Sequence, residues 1–93
     1  SSNTTFTELV VYPNPVRPDY QGNISVKGMM HNSEVKIVDA SGFHIQTVFS
    51  RGGQAIWDGR DQNNQPVSSG VYYFFVSSED GYSKAKSKVL IIR

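Results

Sequence analysis

A chain of 93 residues lies in the range of one domain and buries only about 60 to 65% of its unfolded surface, so it supports a single modest core. With 38% hydrophobic, 12% aromatic and only 18% charged residues, it is too apolar and too weakly charged to stay disordered. Nine basic against eight acidic residues leave a formal net charge of +1, which argues against nucleic acid or an anionic membrane as main partner, and the absence of cysteine excludes disulfides, thiolate metal sites and thiol nucleophiles.

The opening Ser1, Ser2, Asn3, Thr4 and Thr5 carry neither a basic end nor an apolar stretch, so residues 1–6 read as a linker from a longer protein and not as a signal peptide. The domain is expected over residues 7–93. A first strand, 7–12, is halted by Pro13 and Pro15 flanking Asn14, because proline lacks the ladder N–H and biases the preceding residue toward extended backbone. The next strand, 23–27, places Ile24 and Val26 inward. A third, 34–40, alternates Val35 and Ile37 against Lys36, and Asp39 to Gly42 turn the chain into 43–49, where Phe43, Ile45 and Phe49 are expected on one face.

Gly52 and Gly53 lead into a short strand at 54–57, followed by a long loop, 58–70, made almost wholly of turn residues. The strand at 71–78 is the most apolar, with Val71, Tyr73 and Phe75 on one face and Tyr72, Phe74 and Val76 on the other, the pattern of a central or covered strand. Its apolar run, 71–76, is far short of the roughly 20 residues of a membrane helix. Glu79, Asp80 and Gly81 turn the chain into a last strand, 82–92. No window has helical spacing, and the whole reads as an all-β, seven-stranded antiparallel Ig-like sandwich.

No catalytic group can be assembled from these residues. His31 and His44 stand beside no nucleophile and acid, and Ser68, Ser69 and Gly70 make a turn rather than a nucleophile elbow. Asp58, Asp61, Asn63 and Asn64 lack the spacing of a calcium loop, so Asp58 and Asp61 are expected to bond nearby main-chain N–H groups. No metal or cofactor is expected.

The last strand places Ala85, Ser87, Val89 and Ile91 on one side and Lys84, Lys86, Lys88, Leu90 and Ile92 on the other. If Val89 and Ile91 face the core, a basic row runs into exposed aliphatic side chains. The bland explanation is that lysines guard an edge strand and that Leu90 and Ile92 are covered. The functional one is a docking site where a partner adds a strand.

Tyr12-Pro13-Asn14-Pro15, the turn Trp57-Asp58-Gly59-Arg60-Asp61, Gly70-Val71-Tyr72 and the closing run from Lys86 to Arg93 occur in an order that resembles the C-terminal sorting domain of Bacteroidetes proteins exported by type IX secretion, an Ig-like fold related to a module of flagellar hook-capping proteins. The resemblance covers about residues 9–93. It implies a non-catalytic label that crosses the periplasm attached to an upstream cargo, is recognised by an outer-membrane translocon and is removed by a sortase at the cell surface. It further implies translocon recognition by Lys86, Lys88, Val89, Leu90, Ile91, Ile92 and Arg93. Tyr12, Pro13, Asn14, Pro15, Asp39, Gly42, Trp57, Asp58, Gly59, Asp61, Gly70 and Tyr72 would preserve the fold, and the Pro-Asn-Pro motif would mark where the label begins. Asn64 stands where relatives usually carry glycine. Two alternatives remain: an Ig-like module retained on a larger extracellular protein such as a β-propeller, and a carbohydrate-binding sandwich using Trp57, Tyr72 and Tyr73.

Overall fold

Period-two alternation resolves into two facing sheets. The computed structural model describes residues 9–20, 22–29 and 31–93; the expected linker 1–6 and the start of the first expected strand lie outside them. The described strands are β1 (Val10–Tyr12), β2 (Ile24–Lys27), β3 (Glu34–Val38), β4 (His44–Phe49), β5 (Gln54–Trp57), β6 (Gly70–Ser77) and β7 (Lys84–Ile91). They form a three-stranded sheet, β1-β2-β5, and a four-stranded sheet, β4-β3-β6-β7, with every strand pair antiparallel. The all-β sandwich expected from the sequence is the observed one.

Directly opposed residues share a face, so each register row is a line of side chains across the sheet. Val48, Val35, Val76 and Ala85 make one inward row of the four-stranded sheet, and Gln46, Ile37, Phe74 and Ser87 the next. From the other sheet, Val26 between Val11 and Ala55, and Ile24 opposite Trp57, face them. Trp57 is the largest fully buried side chain, with ring centroids 5.9 Å from both Tyr72 and Phe74, the latter edge-on. Both polar tips are satisfied: Trp57 Nε1–H donates to the Arg60 carbonyl at 2.9 Å and Tyr72 O–H to the Ser68 carbonyl at 2.8 Å. As its two apolar faces require, β6 lies inside the sheet between β3 and β7.

One expected face does not form. Phe43 is 73% and Phe49 59% exposed, while Ile45 is half-buried. The odd-numbered positions of β4 lie on the outer face, Thr47 opposite Lys36 and Phe49 opposite Glu34, and Phe43 precedes the strand. Ile45 differs because the register shifts, Ile37 opposing Gln46 but Val38 opposing His44, which leaves it an extra residue packed against the core. Val48, opposite Val35, takes the inward position, and Phe49, opposite Glu34, turns out.

Several strands are shorter than the sequence suggests because side chains capture the main chain at their ends. Asp39 Oδ1 accepts the N–H groups of Ser41 and Phe43, both at 2.9 Å, which stops β3 at Val38. Asp61 repeats the device, accepting from Asn63 at 2.9 Å and Gln65 at 3.0 Å. In each turn the fourth residue has positive φ: Gly42 at 92° and Asn64 at 64°. At the β6–β7 turn, Ser78 Oγ donates to Asp80 Oδ1 at 2.6 Å and accepts from the Ser83 N–H at 3.0 Å, while the Tyr82 N–H donates to Asp80 Oδ1 at 3.0 Å. These donors, Ser78 foremost, hold the Asp80 carboxyl below its ordinary 3.8.

Two outcomes follow. A Cβ on Gly42 would meet nothing within 4 Å, so Gly42→Ala carries only the backbone cost of a left-handed residue, about 1 to 2 kcal/mol in denaturant unfolding, whereas Gly42→Asn costs clearly less. Since Asp80 has a lowered pKa in the folded state, its contribution is fully present above the ordinary 3.8 and fades as pH falls through the lower folded value. In an amide titration the Tyr82 and Ser83 resonances should therefore move with a midpoint below 3.8, and a midpoint at or above that value would contradict the assignment.

Candidate functional site

β7 is the edge strand of the four-stranded sheet. Its inward residues Val89 and Ile91 are 0% and 1% exposed, so alternation obliges Lys84, Lys86, Lys88 and Leu90 to face outward, with Leu90 42% exposed. Ile92, just beyond the strand, is half-buried. The outward rows continue inward across the sheet: Lys86 lies beside Phe75 and then Lys36, Lys88 beside Tyr73 and then Val38, and Leu90 beside Val71. Val38, Lys86 and Lys88, together with the turn of Asp39 and Gly42, bound an open groove of about 710 Å³ floored by Tyr73 and Phe75.

The free edge of β7 is closed along its C-terminal half by the Pro-Asn-Pro segment. After β1 the chain leaves the three-stranded sheet and runs beside β7, where Pro13 and Pro15 have no N–H to offer. The Asn14 side chain takes that place: its Oδ1 accepts from the Leu90 N–H, and its Nδ2 donates to the Lys88 carbonyl, both at 3.1 Å. Val16 then pairs in parallel through its main chain, donating to the Leu90 carbonyl at 2.8 Å and accepting from the Ile92 N–H at 2.7 Å. Both peptide bonds preceding the two prolines are cis. Beyond ending β1, as expected, the motif completes a sheet edge; the sequence signal that could have revealed it is a side-chain amide isolated between two residues without donors. Tyr12 stays partly exposed, its ring centroid 5.5 Å from the Lys27 ammonium.

The end of the chain is anchored at the Trp57 turn. The Arg93 N–H donates to Ser69 Oγ at 2.8 Å and its Nε–H to the Val67 carbonyl at 3.0 Å, while the Val67 N–H donates to the Gly59 carbonyl at 3.0 Å. Gly59 is buried at a φ of 76°, a conformation that glycine adopts without strain. Asp58 Oδ1 accepts from the Arg60 N–H at 3.0 Å, and Gly70 opens β6 opposite Ile91. The turn residues and the terminal residues, separate groups in the sequence, thus meet in one place. Val89 and Ile91 are buried against the core, so among the terminal residues the exposed ones are Lys86, Lys88, Leu90 and Arg93.

Other candidates dissolve into structural roles. Trp57 is 1% and Tyr72 5% exposed, so neither presents a ring face to a sugar, and only Tyr73 of that trio lies on the outer face. His31 Nδ1 accepts from the Gly52 N–H at 3.0 Å, and His44 bonds Thr47 Oγ1 at 2.7 Å and Gln62 Nε2 at 2.9 Å, each holding a loop. Asp58 and Asp61 bond the main chain as expected.

A family model described as "Secretion system C-terminal sorting domain" matches residues 10–93. Among solved structures, the chain is similar to PorZ, described as an essential bacterial surface component of the type-IX secretion system of Porphyromonas gingivalis, at 29% identity and a TM-score of 0.81 over 91% of this chain. It also shares its fold with dimeric latent PorU from the same organism, at 20% identity and a TM-score of 0.59 over 89% of this chain. The chain spans only 11% and 9% of those two proteins. No curated protein matches it.

Asn14→Ala removes both side-chain bonds to the β7 edge and should lower stability by about 1 to 2 kcal/mol. Amide exchange at Leu90 should accelerate while that of Val89, paired into the sheet, follows only the global change; equal acceleration at both would mean that the clamp has no local effect.

Proposed function

The chain belongs to the secretion system C-terminal sorting domain family, and from that membership we propose that it is the folded address read by the outer-membrane translocon while still joined to an upstream cargo. Members of this family are type IX sorting signals without catalysis of their own, carried by proteins bound for the cell surface or the outside. In the proposed sequence the domain crosses the periplasm folded, presents β7 to the translocon, and is removed by a sortase at the surface. Residues 7–93 form the label and 1–6 the linker, with cleavage upstream of Thr7.

The observation that carries this reading is the division of labour along β7. Val89 and Ile91 lock the strand into the core, Asn14, Val16 and Arg93 hold its end, and Lys86, Lys88 and Leu90 are left facing solvent beside an aromatic-floored groove. Lys86, Lys88 and Leu90 together offer a partner positive charge and an aliphatic contact beside an aromatic floor.

A second reading, a retained module of a larger surface protein, is favoured by the likeness to PorZ, where the matching part belongs to a solved chain about nine times longer. It is also favoured by Val10, Tyr12 and Ile56, exposed together on the outer face of the three-stranded sheet.

A truncation that removes Val89 and Ile91 would destroy the core along with the signal, so the test uses outward positions. Residues 1–93 fused behind a signal peptide and a fluorescent reporter, in a type IX-competent Bacteroidetes host, should be displayed at the surface. The triple variant Lys86→Glu, Lys88→Glu, Leu90→Ser should stay in the periplasm while unfolding within about 1 kcal/mol of the parent, as surface changes do. A drop in reporter size on display would reveal sortase removal, and full-size displayed protein would favour the retained module. Periplasmic retention of the parent would overturn the sorting role.

A further inference from the structure

β7 has two kinds of edge. Outward main-chain groups belong to alternate residues of a strand, and the bonds of Asn14 and Val16 to Lys88, Leu90 and Ile92 identify them here as the even-numbered ones. From the Lys88 C=O to the Ile92 N–H they are taken. Among the described residues, the N–H and C=O of Lys84 and Lys86 and the N–H of Lys88 have no partner, leaving a short open template at residues 84–88.

The side chains beside this template select its occupant. Lys84, Lys86 and Lys88 stand on the outer face with Lys36 two strands in, and Glu34 is the single carboxylate on the strands of that face, with Asp39 in the adjoining turn bonded to its own main chain, in a chain whose formal net charge is only +1. Among the described residues no hydrogen bond or ion pair engages these four ammonium groups. A second copy of β7 would bring lysine against lysine, which opposes self-pairing. On the inner side Ala85 and Ser87 are half-buried and extend the rows of Val76 and Phe74. The added residue at the end of those rows would be small or apolar.

We propose that residues 84–88 of β7 form a strand-addition site for an extended polypeptide segment of the export machinery in which acidic side chains alternate with small apolar ones. The site rests on the sorting role for its biological partner, but its chemistry stands apart from it. Main-chain bonds to Lys86 and Lys88 supply the pairing, and the acids, about 5 Å from the lysines across the new ladder, supply the selectivity. An anionic glycan or lipid headgroup could meet the ammonium groups but could not reproduce the ladder.

The test titrates the 1–93 chain with a synthetic peptide of alternating Glu and Val, with its Lys-Val counterpart, and with oligogalacturonate. With the acidic peptide, amide exchange at Lys86 and Lys88 should slow by at least about tenfold, while Leu90 and Ile92, already bonded, stay unchanged. Lys86→Pro removes the outward N–H without touching the ladder to β6, a place where an edge strand admits proline, and should weaken acidic-peptide binding at least about tenfold. The triple change of Lys84, Lys86 and Lys88 to Glu should transfer preference to the Lys-Val peptide, a check that survives if the proline variant misfolds. Unchanged binding by Lys86→Pro with intact fold, equal binding of oligogalacturonate, or no binding at all would each overturn strand addition. In the reporter assay, display of the parent and equal display of folded Lys86→Pro would remove this site and leave the sorting role standing. Failure of the parent itself to be displayed would remove the sorting role, with the peptide titration still deciding the site.

Discussion

Leu90 has both of its outward main-chain groups satisfied by the other end of the chain, and the presentation of β7 depends on that closure. Its N–H meets the side chain of Asn14 and its carbonyl the N–H of Val16, partners that stand 76 and 74 residues away. An open edge here would leave the most apolar outward residue of β7 beside free hydrogen-bonding groups, the arrangement most prone to aggregate. Closing it converts that stretch into a fixed surface and confines the free template to the lysine-guarded part of the strand. A motif at the start of the domain therefore governs the geometry of its end.

The same economy recurs in the turns. Asp39 and Asp61 each bind the N–H groups two and four residues on, and each needs a fourth residue at positive φ. Gly42 meets this without strain, and Asn64 meets it as the non-glycine residue that tolerates it best. In a domain with no cysteine and a modest core, such turns are a principal means of keeping loops ordered. The second turn also belongs to the loop that seats the end of β7. Residues 58–69 supply Gly59, Val67 and Ser69 on one surface, and there the last residue of the chain is seated. Trp57 supports that loop from beneath through the Arg60 carbonyl. Turn, core and terminus are thereby one mechanical unit, so damage to any of them should reach the outward face of β7.

Within the chain itself, alternation was sufficient to identify Ile24 and Val26, Val35 and Ile37, and Val89 and Ile91 as buried, because a strand's two faces are a property of consecutive residues. It was sufficient, too, to put β6 inside a sheet, since both of its faces are apolar. The turn roles of Asp39, Asp58 and Asp61 were equally local. Which sheet β4 joins, the phase that turns Phe49 outward, the slip that leaves Ile45 an extra residue, the closure of β7 by Asn14 and the seating of Arg93 were settled only by the tertiary structure. Each is a relation between distant segments: an asparagine between two prolines is an ordinary strand ending until Leu90 is brought opposite its amide.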